Sequence, residues 1–267
     1  MIKRRLSAEW KWLKEVTRTL DRQTAFVLTA TGFLVVLQFA FGSRRFFRQE
    51  VAPLLPELGN PALWGWGWWF SIQGVTGFVL PVLLLMLFFK KKPSEMGLGL
   101  GDWKLATLLT GLYLPLVIIG TWVLSDGASF QQQYPHYHQA AFNWRLFFIY
   151  EALFLFYWIG WEYLLRGFMI FGTSHSLGFM AIFIQAVPFA ALHVDKPLPE
   201  ALLSVVGGIA LGAIVWRCRS FWIAVPIHAA QMMILDFWCT LRLRTEISGI
   251  GPDALVEIFR QWIAQGG

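Results

Sequence analysis

The sequence predicts an all-α, polytopic transmembrane helical bundle of about seven spans, with amphipathic helices at its N- and C-terminal ends. Three observations predict it. Of 267 residues, 57% are hydrophobic and 14% charged, which is more apolar surface than one soluble core can use. The apolar residues collect into runs near the ~20 residues that a helix needs to cross a bilayer. Basic residues sit beside those runs, as topology determinants do. The formal charge of +6 therefore reads as attraction to anionic headgroups, so membrane lipids are expected partners and nucleic acid is not. The 15 Trp residues are expected to sit at both lipid–water interfaces. Cys218 and Cys239 form no spacing pattern and support neither a disulfide framework nor a zinc site.

Residues 1–24 form the first unit. Between about Ser7 and Arg22, the apolar residues Trp10, Leu13, Val16 and Leu20 recur at three- and four-residue steps among charges. That pattern predicts an amphipathic helix, lying on the membrane surface or packed on the protein's own face. The segment lacks the short apolar core of a signal peptide, so no cleaved leader is expected. Residues 25–241 form the bundle. Its first span, near Phe26 to Phe41, closes at Arg44, Arg45 and Arg48, and the prolines and glycine from Pro53 to Pro61 prevent a long helix in the loop that follows. The second opens on the Trp64–Trp69 aromatic cluster and runs to Phe89, where Lys90-Lys91-Lys92-Pro93 stops it. A third covers about Leu105 to Leu124.

The loop from Ser125 to Asn143 contains no lysine or arginine, and its His136 and His138 read as an exposed pair. The fourth span, about Trp144 to Phe171, exceeds what a bilayer needs, so it tilts or projects. His175, flanked by serines in the turn after it, reads as solvated. The fifth runs from about Phe179 to His193, and Pro188 should kink it and free a backbone carbonyl. The sixth reaches about Trp216 and repeats Ser204, Gly208 and Gly212, a stripe of small residues that lets another helix approach closely. The seventh covers about Phe221 to Leu241. Residues 242–267 form an amphipathic tail carrying Leu255, Ile258, Phe259 and Ile263. Alternating the spans from a cytoplasmic N-terminus puts most basic clusters on one side, and without visible eukaryotic sorting signals the expected location is a bacterial inner membrane.

The chemistry lies in residues 144–241. Glu162 and Arg166 fall inside an apolar run, where ionisable groups are functional suspects. Four residues apart on a helix, they face each other, so each offsets the other's desolvation in a buried ion pair. A site needs further polar groups at that depth. His193 and His228 are the candidates, with Glu151 extending a polar track along the Glu162 helix face and Asp236 two turns from His228. A buried carboxylate can take a proton from water while histidines stabilise the oxyanion or protonate the leaving amine, the chemistry of peptide hydrolysis. Two histidines and one clear acid are a thin zinc set, so no cofactor is expected, with zinc or another divalent metal as the lesser alternative. A transporter using these groups as a proton relay predicts related halves, and the sequence contains no internal repeat.

These residues also resemble a known family, the CPBP (CAAX protease and bacteriocin-processing, or Abi) intramembrane endopeptidases. The first motif of that family, two glutamates, three residues, arginine and usually glycine, reads here Trp161-Glu162-Tyr163-Leu164-Leu165-Arg166-Gly167. Its second, Phe, three residues, His, is Phe189 to His193, and its third, beginning with His and ending in Asn or similar, is His228 to Met232. The order and spacing match over about Glu151 to Leu241. The resemblance implies an all-helical core around a water-filled cavity, with a glutamate-and-histidine site that hydrolyses peptide bonds of membrane-associated substrates. It assigns catalysis to Glu162, His193 and His228, supported by Arg166. Two positions depart from the pattern. Trp161 stands where the family has the glutamate credited with activating water, and Met232 where it has asparagine. Either Glu162 serves as base, helped by Gln185 or Asp236, or the chain keeps the scaffold as a non-catalytic binding, immunity or scaffold protein.

Overall fold

The computed structural model describes residues 2–57 and 59–265. Their regular structure is entirely helical, with no strand among the described residues. Helix α1 (Ile2–Thr19) buries none of its side chains and presents Leu6, Trp10, Leu13 and Val16 outward. Asp21 ends it and caps the next helix, accepting the Thr24 backbone N–H at 2.6 Å and so starting α2 (Arg22–Gly42). Asn60 does the same for α3 (Pro61–Phe89), whose proline at the first position has no N–H to leave unsatisfied. Asp102 caps α4 (Trp103–Leu124) and Asn143 caps α5 (Trp144–Glu162). From Glu162 the chain continues unbroken through a π-helical segment, Tyr163–Met169, into α6 (Ile170–Leu177). Then come α7 (Met180–Ala191), α8 (Leu198–Cys218), α9 (Ala224–Thr245) and α10 (Pro252–Ala264).

The chain is a multi-pass membrane protein. Among the described residues, five helices are long and apolar enough to cross a bilayer: Arg22–Leu54, Pro61–Phe89, Trp103–Leu124, Leu198–Cys218 and Ala224–Thr245. The expected fourth and fifth spans exist as helices but are not among these five. The fourth runs unbroken through α5, the π segment and α6, and its apolar run is interrupted by Glu151, Glu162 and Arg166. The fifth, α7, has 12 residues and so reaches only about 18 Å.

Burial is arranged for lipid rather than water. On α4, Leu108, Leu112, Leu116 and Ile119 all face outward, while α9 is the most enclosed of the five spans. The interior is built from rings. Trp66, Phe70, Tyr150, Phe154, Tyr157, Trp158 and Trp161 form one buried cluster joining α3 to α5, with Phe70 and Phe154 stacked at 4.6 Å between centroids. For five of the tryptophans this differs from the expected interfacial role, since Trp66, Trp122, Trp158, Trp161 and Trp238 are buried inside the bundle, while Trp10, Trp12, Trp64 and Trp103 are exposed. The α5 sequence offers few aliphatic side chains to fill the space between helices, so aromatic faces and edges fill it.

Close backbone approach fixes α3 against α5. A Cβ on Gly160 would run into the Gln73 carbonyl, and one on Gly77 into the Gly160 carbonyl. The small-residue stripe of α8 works similarly. Gly208 receives the Phe189 ring, which would lie 2.7 Å from an added Cβ, so the helix expected there is α7. At the far end of α9, the buried Arg242 ties three segments together. It donates to Ser125 Oγ and Asp126 Oδ1 at 2.9 Å and to the Gly249 carbonyl at 3.0 Å.

Because backbone cannot rotate away as a side chain can, Gly160→Ala is expected to lower stability by about 1–3 kcal/mol. Gly111→Ala, at a helical position with nothing within 4 Å, should be neutral or slightly stabilising. Thermal unfolding of the two variants in one detergent compares them.

Candidate active site

The site starts where α5 gives way to its π segment, a distortion often found at functional positions. There Arg166 Nη1 donates to both oxygens of Glu162, each at 2.7 Å, and neither side chain is exposed. Helix α9 adds His228, whose Nδ1 lies 2.5 Å from Glu162 Oε1. An ionised carboxylate only accepts, so Nδ1 carries the hydrogen, and in the neutral ring Nε2 then holds the lone pair. Trp158 packs against the same imidazole with centroids 4.1 Å apart, fixing the ring plane.

Helix α7 contributes the second imidazole. Its last turn tightens, with the His193 N–H donating to the Ala190 carbonyl, which leaves the Phe189 carbonyl to the His193 side chain at 2.7 Å. A carbonyl also only accepts, so His193 likewise holds its hydrogen on Nδ1 and leaves Nε2 as an acceptor. The Phe189 ring stands at the centre of these groups. Arg166 lies over its face at 4.2 Å, His193 is 4.5 Å away between centroids, and His228 and Trp161 are each 6.1 Å away. Two nitrogens of Arg166, Nε and Nη2, are buried without a hydrogen-bond partner.

A cavity of about 390 Å³ opens beside this group, walled by α4, α8 and α9, and Arg166, Phe189, His193 and His228 line it. Its remaining lining is largely apolar, from Val117 on α4 to Met232 on α9. Glu162 is not among the lining residues. It stands behind His228, with both oxygens engaged by its neighbours. Trp161, where the family pattern has an acid, packs its indole edge toward His193 with centroids 6.0 Å apart.

The other expected site residues lie elsewhere. Gln185 donates to the Gly208 and Ile182 carbonyls and joins α7 to α8 rather than assisting Glu162. Asp236 does not orient His228, a task that Glu162 performs. Asp236 is fully buried beside Glu151, so that the two carboxyls pair across α5 and α9. His175, read as solvated, is half-exposed and bonds Asp21 at 2.8 Å. His136 is not part of an exposed pair. It stacks on Trp66 and accepts from the Lys196 ammonium at 2.8 Å, while His138 is exposed. Burial, reinforced by that ammonium, holds the His136 imidazole well below its usual range. Among the described residues, no three His, Cys, Asp or Glu side chains come together as metal ligands.

Sequence reasoning missed Glu200. It lines the cavity from the first turn of α8, and both its oxygens lie 2.6 Å from the Tyr134 hydroxyl. The signal was present as an acid just inside an apolar span after Pro197 and Pro199, but it resembled an ordinary helix start.

Residues 143–234 match the family described as type II CAAX prenyl endopeptidase Rce1-like. Over that stretch the chain is similar to this family, in line with the CPBP motifs it carries. The match runs from the cap of α5 into the middle of α9, so it contains all three motifs and supports an intramembrane CAAX-type protease fold for this core. No curated protein and no solved structure matches the chain.

Removing Arg166 strands a buried carboxylate beside His228 alone. Arg166→Met is therefore expected to lower stability by about 3–5 kcal/mol, and adding Glu162→Gln should recover most of that loss. Thermal unfolding of the single and double variants in detergent measures both.

Proposed function

We propose that this protein is an intramembrane endopeptidase that hydrolyses a peptide bond of a membrane-associated polypeptide. The observation that carries the reading is the contact between Glu162 and His228 Nδ1, side chains 66 residues apart in sequence and buried beside a cavity that His228 lines. Support also comes from the family that the core matches, described as a CAAX prenyl endopeptidase. In this reading Glu162 holds the His228 tautomer and stabilises the imidazolium that forms, as an acid does when it orients a catalytic histidine. His228 Nε2 takes a proton from a water molecule, and His193 Nε2 accepts the second O–H and aims the oxygen. As the oxygen adds to the carbonyl, the unpartnered Arg166 N–H groups donate to the developing oxyanion, a role left open by Met232.

The apolar walls favour a substrate that brings hydrocarbon with its scissile bond, through the side between α4 and α8. We further propose that α1 lies on the membrane surface and that the N-terminus is cytoplasmic in a bacterial inner membrane, since α1 carries a basic N-terminal end and an unburied apolar stripe.

The test is cleavage of a panel of N-palmitoylated peptides by purified protein in detergent. Glu162→Gln and His228→Ala should each reduce kcat by about 10³-fold or more, and His193→Ala by about 10²-fold. Equal turnover by all variants, or none by the unaltered protein across the panel, would sink the proposal.

A further inference from the structure

At rest the site holds acceptors and a cation, and the donor that the reaction itself creates there is the His228 imidazolium formed on taking a proton from water. Both imidazoles direct their hydrogens away from the cavity, one to Glu162 and one to the Phe189 carbonyl. Among the residues lining the cavity, Glu200 carries the single carboxyl group. It is held there by construction. Tyr134, fully buried, directs its hydroxyl at both Glu200 oxygens at 2.6 Å. The Tyr134 ring is in turn fixed by His136, 4.7 Å away between centroids, and by the Lys196 ammonium 5.0 Å above its face. A phenol has one hydrogen to donate, so one Glu200 oxygen is bound at a time and the other remains available to the cavity.

We propose that Glu200 is the general acid of this enzyme and that Tyr134 is its positioning residue. The assignment rests on the hydrolase reading above and completes it. When the tetrahedral intermediate collapses, the C–N bond breaks with its electron pair on nitrogen, and the Glu200 carboxyl proton goes to that nitrogen. The oxyanion re-forms the carbonyl. The proton that His228 took from water then passes to the Glu200 carboxylate, returning both groups to their starting states, and the second proton of the water leaves with the product carboxyl.

Leaving-group chemistry separates this role from a structural one. An amide needs a proton to depart, whereas 4-nitrophenolate does not. The probes are an N-palmitoyl tetrapeptide amide series and the 4-nitrophenyl esters of the same acyl peptides, assayed with the full chain in detergent. Glu200→Gln should slow amide cleavage by about 10²–10³-fold while slowing ester cleavage less than about threefold. Tyr134→Phe should show the same selectivity with a smaller loss, and His228→Ala should fail on both probes. Equal losses on amide and ester in Glu200→Gln, or no loss on either, overturn the acid role while leaving the hydrolase standing. If the unaltered protein cleaves neither probe, the hydrolase reading itself falls, and this assignment with it.

Discussion

A carboxylate and a guanidinium enclosed at bilayer depth each lose hydration worth several kcal/mol, and neither survives there unless the surroundings supply what water would have given. Glu162 receives two contacts from Arg166 and a third from His228, so its charge is compensated from both its own helix and α9. Much of the core serves this arrangement. The π segment sets the pitch at which the two side chains meet, Trp158 braces the imidazole, and the Phe189 ring covers the outer face of the guanidinium. Because the compensation comes from separate helices, the site's geometry and the bundle's assembly are one event: if α9 were misplaced, the carboxylate would lose one partner and the imidazole its tautomer.

Much of this was legible in the chain. Composition and basic flanks identified a membrane bundle, and the spacing from Glu162 to Arg166 identified a helical pair, because periodicity and charge placement are local properties. Gly208 was readable as a contact point since the stripe repeats at one-turn intervals. Side-chain convergence between helices was harder. Nothing local says that Glu162, rather than Asp236 on the same helix as His228, holds that imidazole, since the answer depends on how α5 crosses α9. The inward packing of five tryptophans was hidden for a related reason: an indole suits an interface and an interior equally well, and neighbours decide between them.

The two carboxylates nearest the cavity illustrate the difference between presence and availability. Glu162 is the residue that motif spacing singles out, yet its oxygens are occupied and turned away from the space where a substrate would lie. Glu200 lacks any motif around it, yet a tyrosine from a loop 66 residues earlier holds it at the cavity wall. Sequence marks the first because a membrane makes any charge conspicuous. It passes over the second because helix starts near the membrane surface commonly carry acids.

The backbone contact between Gly160 and α3 has a mechanical consequence. With no side chain between them to deform, α3 and α5 behave as one stiff beam, and Glu162 at the end of α5 rides on it. Helix α4 is the least buried of the spans, leans mainly on α9 and touches α8 only lightly. Of the cavity walls, α4 is therefore the one with the least protein behind it, whereas the helix that carries Glu162 is braced by direct backbone contact.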